Sequence, residues 1–146
     1  MRYRETIRMP VWLIAIIYFF FLSLVLSIWA ALGDISAIIS FAISTCALAL
    51  IVVKSAMVIE VDQGELRVGR AHIDLVFLDS AQALSSIEVR KLRTRDADPA
   101  AFLAIRFWSS TGVRVTLNDP RDATPYWLIT SNNADALTAA LPSTLN

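Results

Sequence analysis

The sequence predicts a membrane α-helical hairpin followed by a small mostly-β domain with a C-terminal helix, of the pleckstrin-homology-like barrel type. Three observations carry this prediction. Residues 11–32 and 35–53 hold no charged side chain. From residue 56 onward, apolar residues recur at every second position between short polar turns. Near the end, Ala134, Leu137 and Leu141 form a stripe at helical spacing, stopped by Pro142. The organisation that follows is a cytoplasmic N-terminal segment (1–10), a two-span hairpin (11–53) and a cytoplasmic β-rich domain (56–146) with its helix at 133–141.

The hairpin comes first. Of the 146 residues, 56% are hydrophobic and 18% charged, against about 25% charged in ordinary soluble domains. The excess is concentrated in the two runs "VWLIAIIYFFFLSLVLSIWAAL" and "ISAIISFAISTCALALIVV", and about 20 such residues cross a bilayer. A cleaved signal peptide would have a shorter apolar core, about 7–15 residues, ahead of a small-residue cleavage site. Here the first run holds bulky Trp12 and Tyr18, and a second run follows at once. Arg2, Arg4 and Arg8 precede the first run, Lys54 follows the second, and Asp34 lies between them. The excess of basic residues on cytoplasmic flanks places both termini in the cytoplasm of a multi-pass plasma-membrane protein. Trp12 and Trp29 lie about 26 Å apart along a helix, near the spacing of the two interfacial aromatic belts.

Small side chains recur at every fourth position in both runs: Ser23, Ser27 and Ala31, then Ser36, Ser40 and Ser44. About a turn at Gly33-Asp34 these fall at matching depths, which predicts a seam of small residues between the helices. No ionisable residue lies inside either run, which speaks against an ion path, a proton relay or a transporter. The lone Cys46 makes no internal disulfide or zinc site, and the lone His72 has no metal partner in sequence.

The β-rich part follows. In "MVIEVDQGELRVGRAHIDL", Ile59 and Val61 alternate with Glu60 and Asp62, and turns fall at Asp62-Gln63-Gly64 and Gly69-Arg70. Further strands are expected at "SSIEVRKL", "AFLAIRFW", "GVRVTLN" and "YWLIT". Asn132 or Asn133 is expected to cap the last helix. Seven strands plugged by a terminal helix make the pleckstrin-homology-like expectation, which by itself fixes no function.

Four stretches resemble one family: "RYRE" at residues 2–5 with Pro10 and Trp12 beyond it, "GELRVGRA" at 64–71, "ADPAAFLAIRFW" at 97–108 and "VRVTLNDPRDATPYWLIT" at 113–130. The chain resembles the bacterial domain-of-unknown-function family numbered 3093, small membrane proteins of high-GC Gram-positive bacteria. The resemblance implies two spans and a cytoplasmic domain, and it implies no activity. It also implies basic residues after the Tyr-Trp strand, where this chain has Asn132 and Asn133. That departure removes the charge an anion site at the last helix's N-terminus would use.

Two stretches are candidates for chemistry. "NDPRDATPYWLITS" offers Asp119 and Asp122 as paired carboxylates, and Tyr126 and Trp127 as a structural or partner-facing pair. The same residues make a turn, since Asp side chains bond their own backbone and Pro120 fixes φ. Tyr126 and Trp127 then point to opposite faces of a strand, one filling the core and one covering the outside or meeting a partner. "VRKLRTRD" groups Arg90, Lys91, Arg93 and Arg95 at a strand end, either as a candidate contact for anionic lipid or as a solvated strand end whose charge Asp96 and Asp98 partly cancel.

No nucleophile elbow, Gly-rich phosphate loop or metal-ligand spacing occurs, so no catalytic, cofactor or metal residue is assigned. Residues 55–146 carry nine basic and eleven acidic groups, a net −2, which gives no footprint for nucleic acid. The expectation is a non-enzymatic, membrane-anchored binding or scaffolding module at the inner face of the bacterial plasma membrane. Its partners would be the bilayer, anionic lipid and a membrane or cytoplasmic protein. The alternative is an enzyme or enzyme subunit of envelope metabolism acting at the inner leaflet.

Overall fold

The computed structural model describes residues 3–142. It forms two units: residues 8–56, and the described parts of Met1–Ile7 and Met57–Asn146. The N-terminal segment is therefore not separate from the β-rich domain, as its sequence suggested. Tyr3–Ile7 forms β1, which pairs antiparallel with β2 (Met57–Asp62), Ile7 opposite Met57 and Tyr3 opposite Val61. The whole of residues 8–56 is an insertion between two adjacent strands.

β3 (Glu65–Val68) and β4 (Ala71–Asp74) continue the meander, giving a first sheet in the order β1-β2-β3-β4. Its turns are those the glycines announced. Asp62 pairs with Glu65 across a two-residue loop in which Gln63 and Gly64 have φ of 49° and 83°. Two consecutive positive φ values match the right-handed twist of the flanking strands, and Gly64 meets this at no steric cost. The alternation places Met57, Ile59, Val61, Leu66 and Val68 inside.

The second sheet departs further from expectation. It consists of β5 (Leu78–Leu84), β6 (Phe102–Ala104), β7 (Gly112–Leu117) and β8 (Tyr126–Thr130), in the order β5-β7-β8-β6. β6 runs parallel to β8, and the other pairs are antiparallel. Of the expected strand "AFLAIRFW" only three residues join the sheet. "SSIEVRKL" is a helix, α3 (Ser86–Arg93). Its start is a reciprocal capping box, in which the Ser85 N–H donates to the Glu88 carboxylate at 2.7 Å and the Glu88 N–H to Ser85 Oγ at 3.4 Å. Satisfying these otherwise orphaned end groups favours a helix over a solvent-exposed strand.

The two four-stranded sheets do not close into a barrel. They share one core instead. Ile59, Val61 and Leu66 from the first sheet meet Val113, Val115, Trp127 and Ile129 from the second. The last helix, α4 (Ala134–Ala140), packs Leu137 into this core, and Leu141 beyond it is buried there too. β8 is buried on both sides: Trp127 and Ile129 face the main core, while Tyr126 and Leu128 face a second cluster with Leu84 of β5 and Val89 of α3. β7 and β8 approach closely at Gly112, where a Cβ would stand 2.5 Å from the Ile129 carbonyl oxygen.

The inserted unit is a helical hairpin. α1 (Val11–Leu32) and α2 (Asp34–Ser55) have 22 residues each, about 33 Å at 1.5 Å per residue. Gly33, at φ 86°, makes the turn. The Trp29 indole N–H donates to Asp34 Oδ1 at 2.6 Å and ties the tip.

The expected small-residue seam is one-sided. Ser36, Ser40 and Ser44 lie on the half-buried face of α2, but Ser23, Ser27 and Ala31 are exposed on α1. The half-buried stripe of α1 is Ile14, Ile17, Phe21, Val25 and Ile28. Bulky side chains on one helix against small ones on the other interdigitate without voids, which two small faces achieve only at very close approach. The exposed serines bond their own helix instead: Ser23 Oγ donates to the Phe19 carbonyl and Ser27 Oγ to the Ser23 carbonyl, both at 2.9 Å.

Candidate functional site

The loop of residues 118–125 joins β7 to β8 at the turn end of their hairpin. Its neck is closed by the Leu117 N–H donating to the Pro125 carbonyl at 3.1 Å, and the Asn118 N–H donates to the Phe77 carbonyl at 2.8 Å. Inside it, both aspartates bond backbone two residues on. Asp119 Oδ1 accepts from the Arg121 N–H and Asp122 Oδ1 from the Thr124 N–H, each at 2.9 Å. The Thr124 N–H holds the Asp122 carboxyl below the usual carboxylate range. Arg121 pairs with Asp119 through Nε at 3.3 Å and lies over the Phe77 ring at 5.1 Å. The loop thus spends its polar side chains on its own shape.

Asp119 and Asp122 do share a depression of about 340 Å³ with Glu65, His72 and Asp74. No group of three or more His, Cys, Asp or Glu among the described residues has an arrangement able to hold a metal ion.

Tyr126 and Trp127 point to opposite faces, and both are buried. Neither covers the outside. Trp127 packs against Phe102 of β6 with the rings tilted and their centres 4.6 Å apart. Tyr126 lies beneath the Arg114 guanidinium, 4.5 Å from its ring centre, and its buried hydroxyl makes no hydrogen bond among the described residues.

The basic group lies on a helix rather than a strand end. Arg90, Lys91 and Arg93 belong to α3 and Arg95 to the turn after it, all exposed. At about 100° per residue, Arg90 and Arg93 are neighbours about 60° apart, and Lys91 lies about 160° from Arg93. The structure therefore brings two of the four together. They border a depression of about 400 Å³ with Ser86, Val89, Thr94, Phe107, Ser109 and Ser110. Its far wall is the turn after β6, closed by the Ser109 N–H donating to the Arg106 carbonyl at 3.0 Å. Sequence reading had placed Phe107 and Ser109 near a strand and could not join them to α3.

A further residue was missed. Glu5 of β1 accepts from Tyr3 Oη at 2.8 Å, Ser131 Oγ at 2.6 Å and the Asn132 N–H at 2.9 Å. It ties the first sheet to the joint between β8 and α4. Burial and the hydrogen bond to Glu5 push the Tyr3 hydroxyl pKa up to about 12. Neither Asn132 nor Asn133 caps α4 with its side chain. Asn132 Oδ1 accepts from Ser109 Oγ at 3.0 Å, and the Asn133 N–H donates to Ser131 Oγ at 3.1 Å. The available signal was "RYRE", a motif with a carboxylate in an otherwise basic segment.

A family model described as "Protein of unknown function (DUF3093)" matches residues 2–141. The chain belongs to DUF3093. No curated protein and no solved structure matches it. Within this DUF3093 chain, the four stretches that carried the resemblance have structural work to do. The described residues of "RYRE", 3–5, lie in β1 and include Glu5, "GELRVGRA" supplies β3 and its two turns, and "VRVTLNDPRDATPYWLIT" supplies the β7–β8 hairpin. "ADPAAFLAIRFW" supplies β6 and Phe107 at the rim of the Arg90–Arg93 depression.

Proposed function

We propose that this chain is a non-enzymatic binding or scaffolding module anchored in the plasma membrane by α1 and α2, with its β domain at the inner face. The observation that carries the reading is the register of β1 with β2. The chain leaves the sheet at Ile7 and returns at its direct partner Met57. Whatever α1 crosses, α2 must recross, so an even number of spans is built into the ladder.

Two further facts favour a bilayer. Both helices are long and apolar enough to cross one. Their outward side chains are large and uncovered, with Phe19 67% and Ile38 69% exposed. Water tolerates isolated apolar side chains at a protein surface, not contiguous patches of this length. A core helix of a soluble protein would be buried. A cleaved signal sequence would take β1 with it and remove Ile7 from the core. Arg4 and Arg8 before the hairpin, Lys54 after it and Asp34 at its tip give the orientation. Linkers of three residues (8–10) and one (56) leave the β domain little reach from the head groups, which suits a module that presents a binding surface to the membrane or to a membrane-bound protein.

Reporter fusions test the reading. A fusion after Asp34 should be active only outside, and fusions at either terminus only inside. A terminus reporting outside, or release of the full chain from membranes by alkaline carbonate, refutes it.

A further inference from the structure

We infer that the depression between α3 and the turn at residues 106–109 is a binding site for a phosphate group. Two guanidinium groups, those of Arg90 and Arg93, border it from successive positions on one helix face. Neither forms an ion pair among the described residues, and no acidic side chain lines the depression. The nearby acid on α3, Glu88, is engaged by the Ser85 N–H and hydroxyl at 2.7 and 2.8 Å. Two other polar depressions of the domain are acidic, one lined by Glu60, Asp62, Glu65 and Asp74 and one by Asp119 and Asp122. The contrast favours this depression over those two for an anion, on a domain of net negative charge.

Hydroxyl donors complete the set. Ser86 and Ser110 line the depression, exposed and with no side-chain hydrogen bond among the described residues. Ser109 is fixed by Asn132, and Thr94 by the Arg90 carbonyl at 2.8 Å, so the walls are held in place before any ligand arrives. Two unpaired guanidinium forks with free hydroxyls match the several acceptor oxygens of a phosphate, which takes paired N–H donors from arginine.

Exposed apolar residues at and beside the depression also indicate the source of the phosphate. Ile87 on α3 is 66% exposed and Phe107 63% exposed. Large apolar side chains beside arginines suit the boundary between head groups and acyl chains, where basic residues meet phosphate and apolar ones enter the lipid. The site itself is independent of the anchoring reading above, whereas a lipid as its source rests on it.

The test uses the full chain purified in a nonionic detergent and follows its melting temperature. One arm adds phosphatidic acid to the micelles, with phosphatidylcholine as the neutral control. The other adds inorganic phosphate at constant ionic strength. The melting temperature should rise with phosphatidic acid and not with phosphatidylcholine. The double variant R90Q/R93Q should need at least about tenfold more phosphatidic acid for the same rise. Arg67→Gln, which removes a guanidinium already paired with Glu65, should behave as wild type. Because Arg90 and Arg93 are exposed, the double variant should melt as wild type without ligand. If it does not, R90K/R93K keeps the charge, loses the forks and should show an intermediate loss.

A rise in both arms supports the site for phosphate groups in general. A rise with inorganic phosphate alone supports the site and overturns the lipid as its source. No rise in either arm, or a rise equal in R90Q/R93Q and Arg67→Gln, overturns the inference.

Discussion

Replacing Glu5 by Ala removes one carboxylate and three hydrogen bonds: those from Tyr3 Oη, Ser131 Oγ and the Asn132 N–H. Hydrogen bonds to charged groups contribute about 1.5–3 kcal/mol each when lost in a protein interior. The three sites differ. Asn132 is exposed and Tyr3 half-buried, so water replaces much of what they lose. Ser131 is fully buried, and the bond its hydroxyl donates to the carboxylate is lost while the one it accepts from the Asn133 N–H remains. The net expectation is about 2–3 kcal/mol. For a domain of this size each kcal/mol moves the melting temperature by about 4–8 °C, so Glu5→Ala should melt at least about 8 °C lower. Full-length protein in nonionic detergent, followed by near-ultraviolet circular dichroism, reads this out. Ser131→Ala removes the other end of the same bond, so the double variant should fall short of additivity by about 1 kcal/mol. A shift below about 2 °C for Glu5→Ala, or full additivity with Ser131→Ala, would refute the clamp.

Three further outcomes follow from the same geometry. Replacing residues 8–56 with a two-residue Asn-Gly turn should yield a soluble, cooperatively folded β domain, because Ile7 and Met57 are direct partners; residues 57–146 alone, lacking β1, should not fold, and a cooperative melt from them would be the wrong result. Gly112→Ala should destabilise by about 1–3 kcal/mol, since its methyl group meets the Ile129 carbonyl at 2.5 Å, as measured by the fall in melting temperature. Tyr3, whose pKa is raised to about 12, contributes stability that is present below its unfolded value of about 10 and lost as pH rises through about 12; an alkaline melt of Tyr3→Phe should lack that part of the loss.

The hairpin was legible because its signal is length, and nothing in 22 uncharged residues competes with it. β2, β3 and β4 were legible because alternation and Gly turns agree. β1 was not, because its partner lies beyond the whole hairpin and five residues alternate too briefly to be seen alone. α3 was misread because Ile87 and Val89 alternate like a strand, while the burial that decides is Val89 with Leu92 at helical spacing, started by the Ser85–Glu88 box. β5, "LDSAQAL", is rich in helix formers by composition and takes its strand form from pairing with β7. The candidate site was legible in half. Arg90 and Arg93 stood out by charge, but their neighbours Ser109 and Ser110 come from the turn after β6, a strand whose parallel pairing with β8 is not readable in sequence.

The insertion of the hairpin between β1 and β2 also bears on how the fold forms. Pairing Ile7 with Met57 closes a loop of 49 residues, from 8 to 56, and a flexible loop of that length carries an entropic cost that grows with its logarithm. An antiparallel helical hairpin removes most of this cost, because its two ends lie at the same end of the pair before any strand forms. The five residues of β1 make too short a strand to compete for β2 from a distance. Delivered by α1 to the end of α2, they need only zip from Ile7 toward Tyr3. Glu5 then fixes the strand to Ser131 and Asn132, on the far side of the core. β1 is thus continuous in sequence with α1 after Ile7 and fixed through its Glu5 carboxylate to the second sheet.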